Sequence, residues 1–237
     1  VLLVGHHACV KLSSTDTVLM RWLIDNLLDI EPRFLISIEE MLKGKDAYIA
    51  TGSDNSARYF EYYFGRYPNV IRKNRTSLAI LDGREELADL QVLGRDIFQY
   101  YGLGCRNVSK LMVKDLACVH QLLEALEGFV YVADNHKYFN NYEYNKSIYL
   151  VNREAHLDNG FLLVRENKGL VSPISVLYYE VYSDLQTLTT NLSEIEDKIQ
   201  CVLSKDGWYP NSIPFGEAQC PSLGDYADGV DTIEFLK

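Results

Sequence analysis

The chain has 237 residues, of which 47% are hydrophobic and 24% charged, a composition typical of a globular protein with one large or two modest domains. Its formal net charge of -10 disfavours a nucleic acid partner, because a phosphate backbone would be repelled. No uninterrupted apolar run approaches the roughly 18 residues of a membrane span, so we expect a cytoplasmic protein. The five cysteines are widely spaced and include no CxxC pair, which argues against a disulfide framework and a zinc site.

The N-terminal third alternates short apolar runs with segments of helical periodicity. Ser14 or Thr15 is a candidate N-cap for the first helix, and Gly44 is a candidate terminator of the second. This alternation predicts a parallel, doubly wound α/β layer. The predicted elements are a buried strand at Ala8–Leu12, the helix that follows it, a short helix at Ser37–Lys43, a strand at Ala47–Thr51 and a helix at Asp54–Phe64.

A basic turn, Arg72-Lys73-Asn74-Arg75, separates this layer from a second α/β layer. The sequence therefore predicts two domains, residues 1–75 and residues 76–237. The elements predicted after the turn are strands at Ser77–Leu81, Lys110–Val113, Phe161–Glu166, Ile174–Tyr182 and Ile199–Val202, and helices at Glu85–Tyr101, Ala117–Leu126, Asn135–Leu150 and Asp184–Glu196.

Cys105 is the cysteine whose surroundings best suit a nucleophile. It lies between a Gly-x-Gly turn and Arg106, with Lys110 nearby, a setting that favours a thiolate and lets backbone N–H groups approach a developing oxyanion. The alternative is that Cys105 is a small buried hydrophobic residue, as most free cysteines are. We expect structural roles for the other four, which are Cys9, Cys118, Cys201 and Cys220.

Three polar segments are candidates for binding an anion or a nucleotide. Thr51-Gly52-Ser53 ends a strand and opens a helix, where N–H groups and the helix dipole favour a pyrophosphate, although a capped helix start explains the same residues. Lys11, Ser13 and Ser14 follow another strand and suit either ribose hydroxyls or a helix cap. The cations of the basic turn, Arg72, Lys73 and Arg75, suit a phosphate of a nucleotide or of coenzyme A, or a solvated loop. The five histidines form no metal-spaced pair, so we expect no metal site.

These segments, taken in chain order, resemble three landmarks of the aldehyde dehydrogenase superfamily: a lysine-containing strand end, a helix start beside the cofactor, and a cysteine phrase. The sequence is most similar to the fatty acyl-CoA reductases related to the reductase of bacterial luciferase operons. The similar phrases are TGSDNSARYFEYYFGRYP at Thr51–Pro68, RKNRTSLAIL at Arg72–Leu81, YYGLGCRNVSKL at Tyr100–Leu111 and PFGEAQCPSLGDYADGVDTIEFL at Pro214–Leu236.

The resemblance implies an aldehyde dehydrogenase-like fold. Residues 1–75 would be a partial, Rossmann-like NAD(P)-binding domain, without the N-terminal part of the family fold, which holds an asparagine that helps stabilise the oxyanion. Residues 76–237 would be the catalytic domain, ending in an oligomerisation strand at Asp231–Leu236. Lys11, Ser13, Ser14 and Thr51-Gly52-Ser53 would contact the cofactor, and Cys105 would be the nucleophile.

Two positions depart from the general aldehyde dehydrogenase pattern. The glutamate general base of hydrolytic members lies in a Glu-Leu-Gly-Gly phrase, where this chain has Lys73-Asn74-Arg75-Thr76. Without that base a water is not readily activated against the acyl-enzyme, which favours reduction or exchange with coenzyme A. The glutamate that holds the nicotinamide ribose is replaced by Gly169 on the simplest alignment.

The expected activity is reduction of an acyl-CoA to a fatty aldehyde through a thioester on Cys105, with NADPH favoured over NADH as the reductant. The Tyr-rich stretches at Phe98–Tyr101 and Tyr138–Tyr149 suit either an acyl channel or ordinary core. One alternative is a catalytically silent scaffold that forms a homodimer or higher oligomer through the C-terminal strand. The other is a hydrolytic aldehyde dehydrogenase.

Overall fold

A computed structural model describes residues 1–14 and 16–237, apart from the side chain of Asp54. The described residues form two compact units. The first unit comprises Val1–Lys73 and Leu223–Lys237, and the second comprises Asn74–Ser222. The chain thus passes from the first unit to the second within the basic turn and returns near its C-terminus. The nucleotide-binding and catalytic roles assigned to the two parts stay predictions.

The first unit contains two separate two-stranded parallel sheets. In one of them β1 pairs with β2, and in the other β3 pairs with β4. Helix α2 packs on β3, where the rings of Tyr48 and Phe64 stack with centroids 4.1 Å apart. The elements are β1 (Ala8–Val10), α1 (Val18–Ile30), β2 (Ile36–Ile38), β3 (Tyr48–Thr51), α2 (Asp54–Phe64) and β4 (Asn69–Arg72).

Three local predictions for this unit need correction. The helix predicted at Ser37–Lys43 is wrong, because Ile36 and Ile38 are β-branched and extend Ser37 into a strand that pairs with Cys9. Ser14 does not cap α1, whose N-cap is Thr17, while Thr15 lies outside the described residues. The basic turn also begins one residue later than predicted, because Arg72 ends β4.

The second unit is built on one mixed sheet of seven strands, in the order β11-β10-β5-β6-β9-β8-β7. All neighbouring strands are parallel except β7 and β8, which confirms the predicted α/β class. Its elements are β5 (Thr76–Leu81), α3 (Leu87–Phe98), β6 (Val108–Val113), α4 (Leu116–Ala125), α5 (His136–Asn152), β7 (Leu157–Asp158), β8 (Leu163–Glu166), β9 (Val176–Val181), α6 (Leu185–Ser193), β10 (Ile199–Ser204) and β11 (Ile213–Pro214).

Strand β5 shows why this sheet is the centre of the second unit. All six of its residues are buried, as expected for an inner strand covered on both faces. Ala79 and Leu81 pack into the core beneath α3 and α4, whereas Leu78 and Ile80 join the core beneath α6. Alternate side chains of the strand therefore fix one helical layer on each face of the sheet.

One apolar segment of this unit qualifies as a membrane span by length and composition, although it contains polar interruptions. Leu116–Asp134 comprises α4 and the 3₁₀-helix Glu127–Asp134. Val119, Leu122 and Val132 are buried in the core beside α3. Core packing therefore accounts for these apolar side chains of the segment.

The C-terminal tail differs from its prediction. The segment Asp231–Leu236, for which the sequence predicts an oligomerisation strand, contains the helix α7 (Thr232–Phe235). The Asp231 carboxylate accepts hydrogen bonds from the N–H groups of Ile233 and Glu234, at 3.0 and 2.9 Å. This N-cap stabilises a helical turn in place of a strand, so the argument for dimerisation through a strand is lost.

Packing of α3 against the 3₁₀-helix predicts the effect of a small substitution. A Cβ added at Gly94 would lie 2.4 Å from Cε2 of Phe129. We expect Gly94→Ala to lower the free energy of unfolding by about 1–3 kcal/mol, because overpacking outweighs the gain in helix propensity. Urea unfolding measures this change. Gly128→Ala is the matched control, since no atom lies within 4 Å of its added Cβ; equal effects at both positions would contradict the packing.

Candidate active site

The exposed thiol of Cys105 lies in a tight turn between α3 and β6. The chain first reverses after α3 through Tyr100, Tyr101 and Gly102, whose φ angles of 54°, 58° and 72° are all left-handed. The next four residues, Gly104–Asn107, form a turn closed by a 3.0 Å hydrogen bond from the Asn107 N–H to the Gly104 carbonyl. We call these four residues the cysteine turn. Cys105 is its second residue.

The backbone amide of Cys105 differs from its neighbour in its hydrogen bonding. Among the residues that the structure describes, no acceptor forms a hydrogen bond with the Cys105 N–H. The preceding amide is engaged, because the Gly104 N–H donates to Oδ1 of Asn107 at 2.8 Å. On the other side, the Ser77 hydroxyl on β5 donates to the Cys105 carbonyl at 3.0 Å. The turn is therefore held by its flanks, and one donor beside the thiol is left open.

The side chain of Asn107 fills the space between α3 and the cysteine turn. It is 2% exposed, and its Nδ2 donates to the carbonyls of Asp96 and Gln99 at 2.9 and 2.8 Å. The Asn107 amide thus donates to carbonyls where α3 ends and the chain enters the 3₁₀-helix Gln99–Gly102. Asn107 is not among the site residues predicted from the sequence, because its burial and its contacts with the end of α3 appear only in the structure.

Asp96 joins α3 to the segment after β11. Its carboxylate is 1% exposed and accepts the N–H groups of Gly216 and Ala218, at 2.5 and 3.2 Å. Burial raises the pKa of the Asp96 carboxyl to about 6, against the opposing effect of the two N–H bonds. The Ala218 carbonyl in turn accepts a 2.9 Å hydrogen bond from Arg106. The cysteine turn and the segment at Gly216–Ala218 are thus fixed to the same helix end.

The two cations expected to favour a Cys105 thiolate have other partners as well. The Arg106 guanidinium is held by the Ala218 carbonyl. Lys110 is buried, and its ammonium contacts the Asn167 carbonyl and lies 3.0 Å from the Glu180 carboxylate. Burial lowers the pKa of Lys110, against the opposing effect of Glu180. Its charge is therefore balanced by Glu180, and Arg106 is the cation adjacent to the thiol in sequence.

The remaining cysteines differ in exposure, and all five carry free thiols. Cys118 and Cys201 are buried, and burial raises the pKa of both thiols. Cys9 is half-buried, whereas Cys220 is exposed, like Cys105. Cys220 is therefore the natural internal control for Cys105, because exposure alone does not distinguish the two.

The Tyr-rich stretches divide between core and surface, since Tyr101 is 40% exposed. Phe98 and Tyr138 are 4% and 3% exposed, and the Phe98 ring packs against Phe129 and Phe161. A cavity of about 30 Å³ remains between Phe98, Tyr101 and Tyr138. It has room for about one or two water molecules, so these side chains enclose no open acyl channel.

Thr51-Gly52-Ser53 lies at the carboxyl end of β3, as predicted. Ser53 is the N-cap of α2 and accepts the Ser56 N–H at 3.3 Å. The Gly52 N–H donates to the Arg72 carbonyl at 3.2 Å, and Thr51 pairs with Arg72 in the sheet. The structure thus brings these three residues together with the first cation of the basic turn.

Lys11, Ser13 and Ser14 follow β1, whose sheet is separate from that of β3. Lys11 is exposed, and its ammonium donates to the Glu40 carbonyl at 2.6 Å, just beyond β2. Ser13 forms a single bridge with Asp16. The cofactor contacts predicted for these residues stay predictions.

The cations of the basic turn have separate protein partners. Arg72 lies 3.6 Å from the Asp228 carboxylate and Lys73 lies 2.8 Å from Glu61, both within the first unit. Arg75 belongs to the second unit and donates to the Ile199 carbonyl at 3.3 Å. A phosphate would therefore have to compete with these contacts. In the described part of the chain, no group of three or more His, Cys, Asp or Glu is arranged to hold a metal ion.

Solved structures with a similar fold include an aldehyde dehydrogenase, a second dehydrogenase and a bifunctional protein. The chain matches the bifunctional proline utilization A (PutA) protein with a TM-score of 0.61 and 14% identity, over 84% of this chain and 25% of that one. An indole-3-acetaldehyde dehydrogenase complexed with NAD+ matches with a TM-score of 0.60 and 12% identity, over 91% and 52%. The Delta-pyrroline-5-carboxylate dehydrogenase from Mycobacterium tuberculosis, bound with NAD, matches with a TM-score of 0.56 and 15% identity, over 84% and 46%.

The fold is that of the aldehyde dehydrogenases. This confirms the predicted fold class. Sequence identities of 12% to 15% support a conclusion about the fold alone. No protein-family model matches the sequence, and no curated protein matches it. The chain spans about a quarter to a half of the length of these structures.

The raised pKa of Asp96 predicts how one carboxyl affects stability. Because its pKa of about 6 lies above the usual value, the folded chain binds more protons than the unfolded chain between about pH 4 and pH 6. Stability from this group therefore falls as pH rises through that window. We expect the free energy of unfolding of the native chain, relative to Asp96→Asn, to fall by at most about 3 kcal/mol from pH 4 to pH 6.

Urea unfolding at several pH values tests this expectation, with Asp184→Asn as the control. Asp184 caps α6, and hydrogen bonds from Thr187 lower its pKa. Its contribution to stability should therefore be lost as pH falls, which is the opposite slope. A difference between the native chain and Asp96→Asn that stays constant with pH would contradict the raised pKa.

Proposed function

We propose that the protein is an acyl-CoA reductase in which Cys105 takes the acyl group as a thioester, and that NADPH then reduces it to a fatty aldehyde. The observation that carries the proposal is the exposed Cys105 thiol, held in a turn beside its own unpartnered N–H. A nucleophile and an oxyanion donor on one residue suit acyl transfer. The similarity of the cysteine phrase to the fatty acyl-CoA reductases supplies the substrate class.

The first step needs only groups of the chain. The Cys105 thiolate attacks the thioester carbonyl carbon of the acyl-CoA, and the carbonyl oxygen takes the negative charge beside the Cys105 N–H. When the tetrahedral intermediate collapses, the bond to the coenzyme A sulfur breaks and that sulfur leaves as a thiolate. The acyl group is then bound to Cys105 through a new thioester, and no electrons have been exchanged.

The second step needs a reductant, for which the first unit has a suitable arrangement. The ends of β1 and β3 carry Lys11 and the start of α2, and nucleotides bind at the carboxyl ends of parallel strands. A bound nicotinamide would supply the hydride. The indole-3-acetaldehyde dehydrogenase that shares this fold was solved with NAD+, which supports a nicotinamide cofactor.

Reduction is favoured over hydrolysis by the residues of the basic turn. Hydrolysis of the thioester requires a base that activates water. The segment Lys73-Asn74-Arg75-Thr76, where hydrolytic members carry that base, holds no carboxylate. Cys105 is therefore proposed to release an aldehyde, with its sulfur returning as the thiolate.

Intact-protein mass spectrometry tests acyl transfer. Incubation with a long-chain acyl-CoA should add the mass of one acyl group, because the thioester has no base to hydrolyse it. Cys105→Ala should abolish the adduct, whereas Cys220→Ala, which removes the other exposed thiol, should retain it. An adduct that survives Cys105→Ala would refute the proposal. On addition of NADPH, release of aldehyde supports reduction, and release of the free acid indicates the hydrolytic alternative.

The choice of cofactor predicts the effect of Lys11. If the Lys11 ammonium meets the additional phosphate of NADPH, Lys11→Ala should weaken NADPH binding by about 10-fold and change NADH binding little, since a hydrogen bond to a charged group contributes about 1.5–3 kcal/mol. Titration of nicotinamide fluorescence measures both affinities. Lys43→Ala, at another exposed lysine of the same unit, is the control. Equal losses for both nucleotides would assign Lys11 a different role.

A further inference from the structure

We propose that Asn107 is the positioning residue of the cysteine turn, and that it sets the Cys105 N–H in place as the oxyanion donor. The inference rests on the proposed acyl transfer to Cys105 and deepens it. Asn107 does not touch the reacting atoms. It acts through Gly104, whose N–H donates to Asn107 Oδ1 at 2.8 Å.

The two amides at the start of the cysteine turn differ in whether they have an acceptor. Two consecutive N–H groups, those of Gly104 and Cys105, lie at the start of the cysteine turn. Asn107 occupies the first, while no described acceptor occupies the second. The peptide group that carries the Cys105 N–H contains the Gly104 carbonyl, which accepts the Asn107 N–H at 3.0 Å. Asn107 therefore holds the peptide groups on both sides of Gly104 and fixes the orientation of the Cys105 N–H. A fixed donor contributes more to an oxyanion than one that must reorient during the reaction.

Asn107 is itself held rigidly. Its Nδ2 is bound to two carbonyls at the end of α3, those of Asp96 and Gln99, and the side chain is 2% exposed. Its backbone N–H closes the turn on the Gly104 carbonyl. The residue is therefore fixed from the helix side and transmits the position of α3 to the turn.

The close approach of the Asn107 side chain requires a glycine at position 104. A Cβ added at Gly104 would lie 3.0 Å from Asn107 Oδ1, which is closer than ordinary van der Waals contact. Glycine at this position therefore lets the amide of Asn107 approach. Gly104→Ala displaces that oxygen without removing any hydrogen-bonding group of Asn107.

The test compares two reactions at the same sulfur. Acylation by p-nitrophenyl acetate passes through an oxyanion and releases p-nitrophenolate, whereas alkylation by iodoacetamide displaces iodide without forming one. Both reactions need the thiolate, so the ratio of the acylation rate to the alkylation rate reports the effect of the oxyanion donor. We expect Asn107→Ala to lower the ratio by roughly 100-fold, the loss associated with a misplaced catalytic group or one missing donor. Quantitative mass spectrometry of the Cys105 peptide gives both rates.

A buried asparagine elsewhere in the same unit is the matched control. Asn145 is 6% exposed, and its Nδ2 donates to the carbonyls of Asn141 and Ile174. Asn145→Ala should lower stability and leave the ratio unchanged. If Asn107→Ala lowers the rates of acylation and alkylation equally, or lowers neither rate, Asn107 is a structural residue only and the inference fails.

A second variant decides the matter where Asn107→Ala does not fold. Gly104→Ala should lower the ratio by about 10-fold, because the acceptor is displaced and not lost; an unchanged ratio overturns the inference. The proposed function fails separately. If the native chain is acylated by the ester but not by acyl-CoA, the proposed substrate class is wrong and the role of Asn107 stands. If the native chain is only alkylated, both the proposed function and the role of Asn107 are wrong.

Discussion

The arrangement around Cys105 depends on how the buried polar groups at the end of α3 are satisfied. A helix that ends inside a core leaves carbonyl groups that need donors. Here the donor is the side-chain amide of Asn107, which binds two of these carbonyls and takes the Gly104 N–H with its oxygen. Because leaving such groups unpaired lowers the stability of the folded chain, this contact stabilises the fold, and the same contact shapes the turn that carries the thiol.

Asp96 extends this constraint to a distant part of the second unit. Its buried carboxylate accepts two amides of the segment after β11, and Arg106 of the cysteine turn reaches the same segment. Keeping a carboxylate buried opposes its ionisation, and this is why its pKa is raised. The two hydrogen bonds to Asp96 join the segment after β11 to α3, and the Arg106 hydrogen bond joins the same segment to the cysteine turn.

Sequence patterns located the longer elements of the second unit, because apolar runs such as that of β5 are buried in the core. The buried strand β5 and the helices α3 to α5 are found within a few residues of the predicted positions. The errors fall where short-range signals compete: Ser37 pairs as a strand with β1, and Asp231 caps a helix where a strand was expected. Cys105 was identifiable from its phrase, but Asn107 was not, because its role depends on a helix end that no local pattern reveals.

The central claim is that the cysteine turn, and not exposure, makes Cys105 the acyl acceptor. Cys220 is also exposed, so the most direct measurement is to treat the native chain with less than one equivalent of acyl-CoA and map the acyl group by peptide mass spectrometry. The account predicts that the acyl group is found on Cys105, even under conditions in which iodoacetamide labels both thiols. Equal acylation of Cys105 and Cys220 would contradict it.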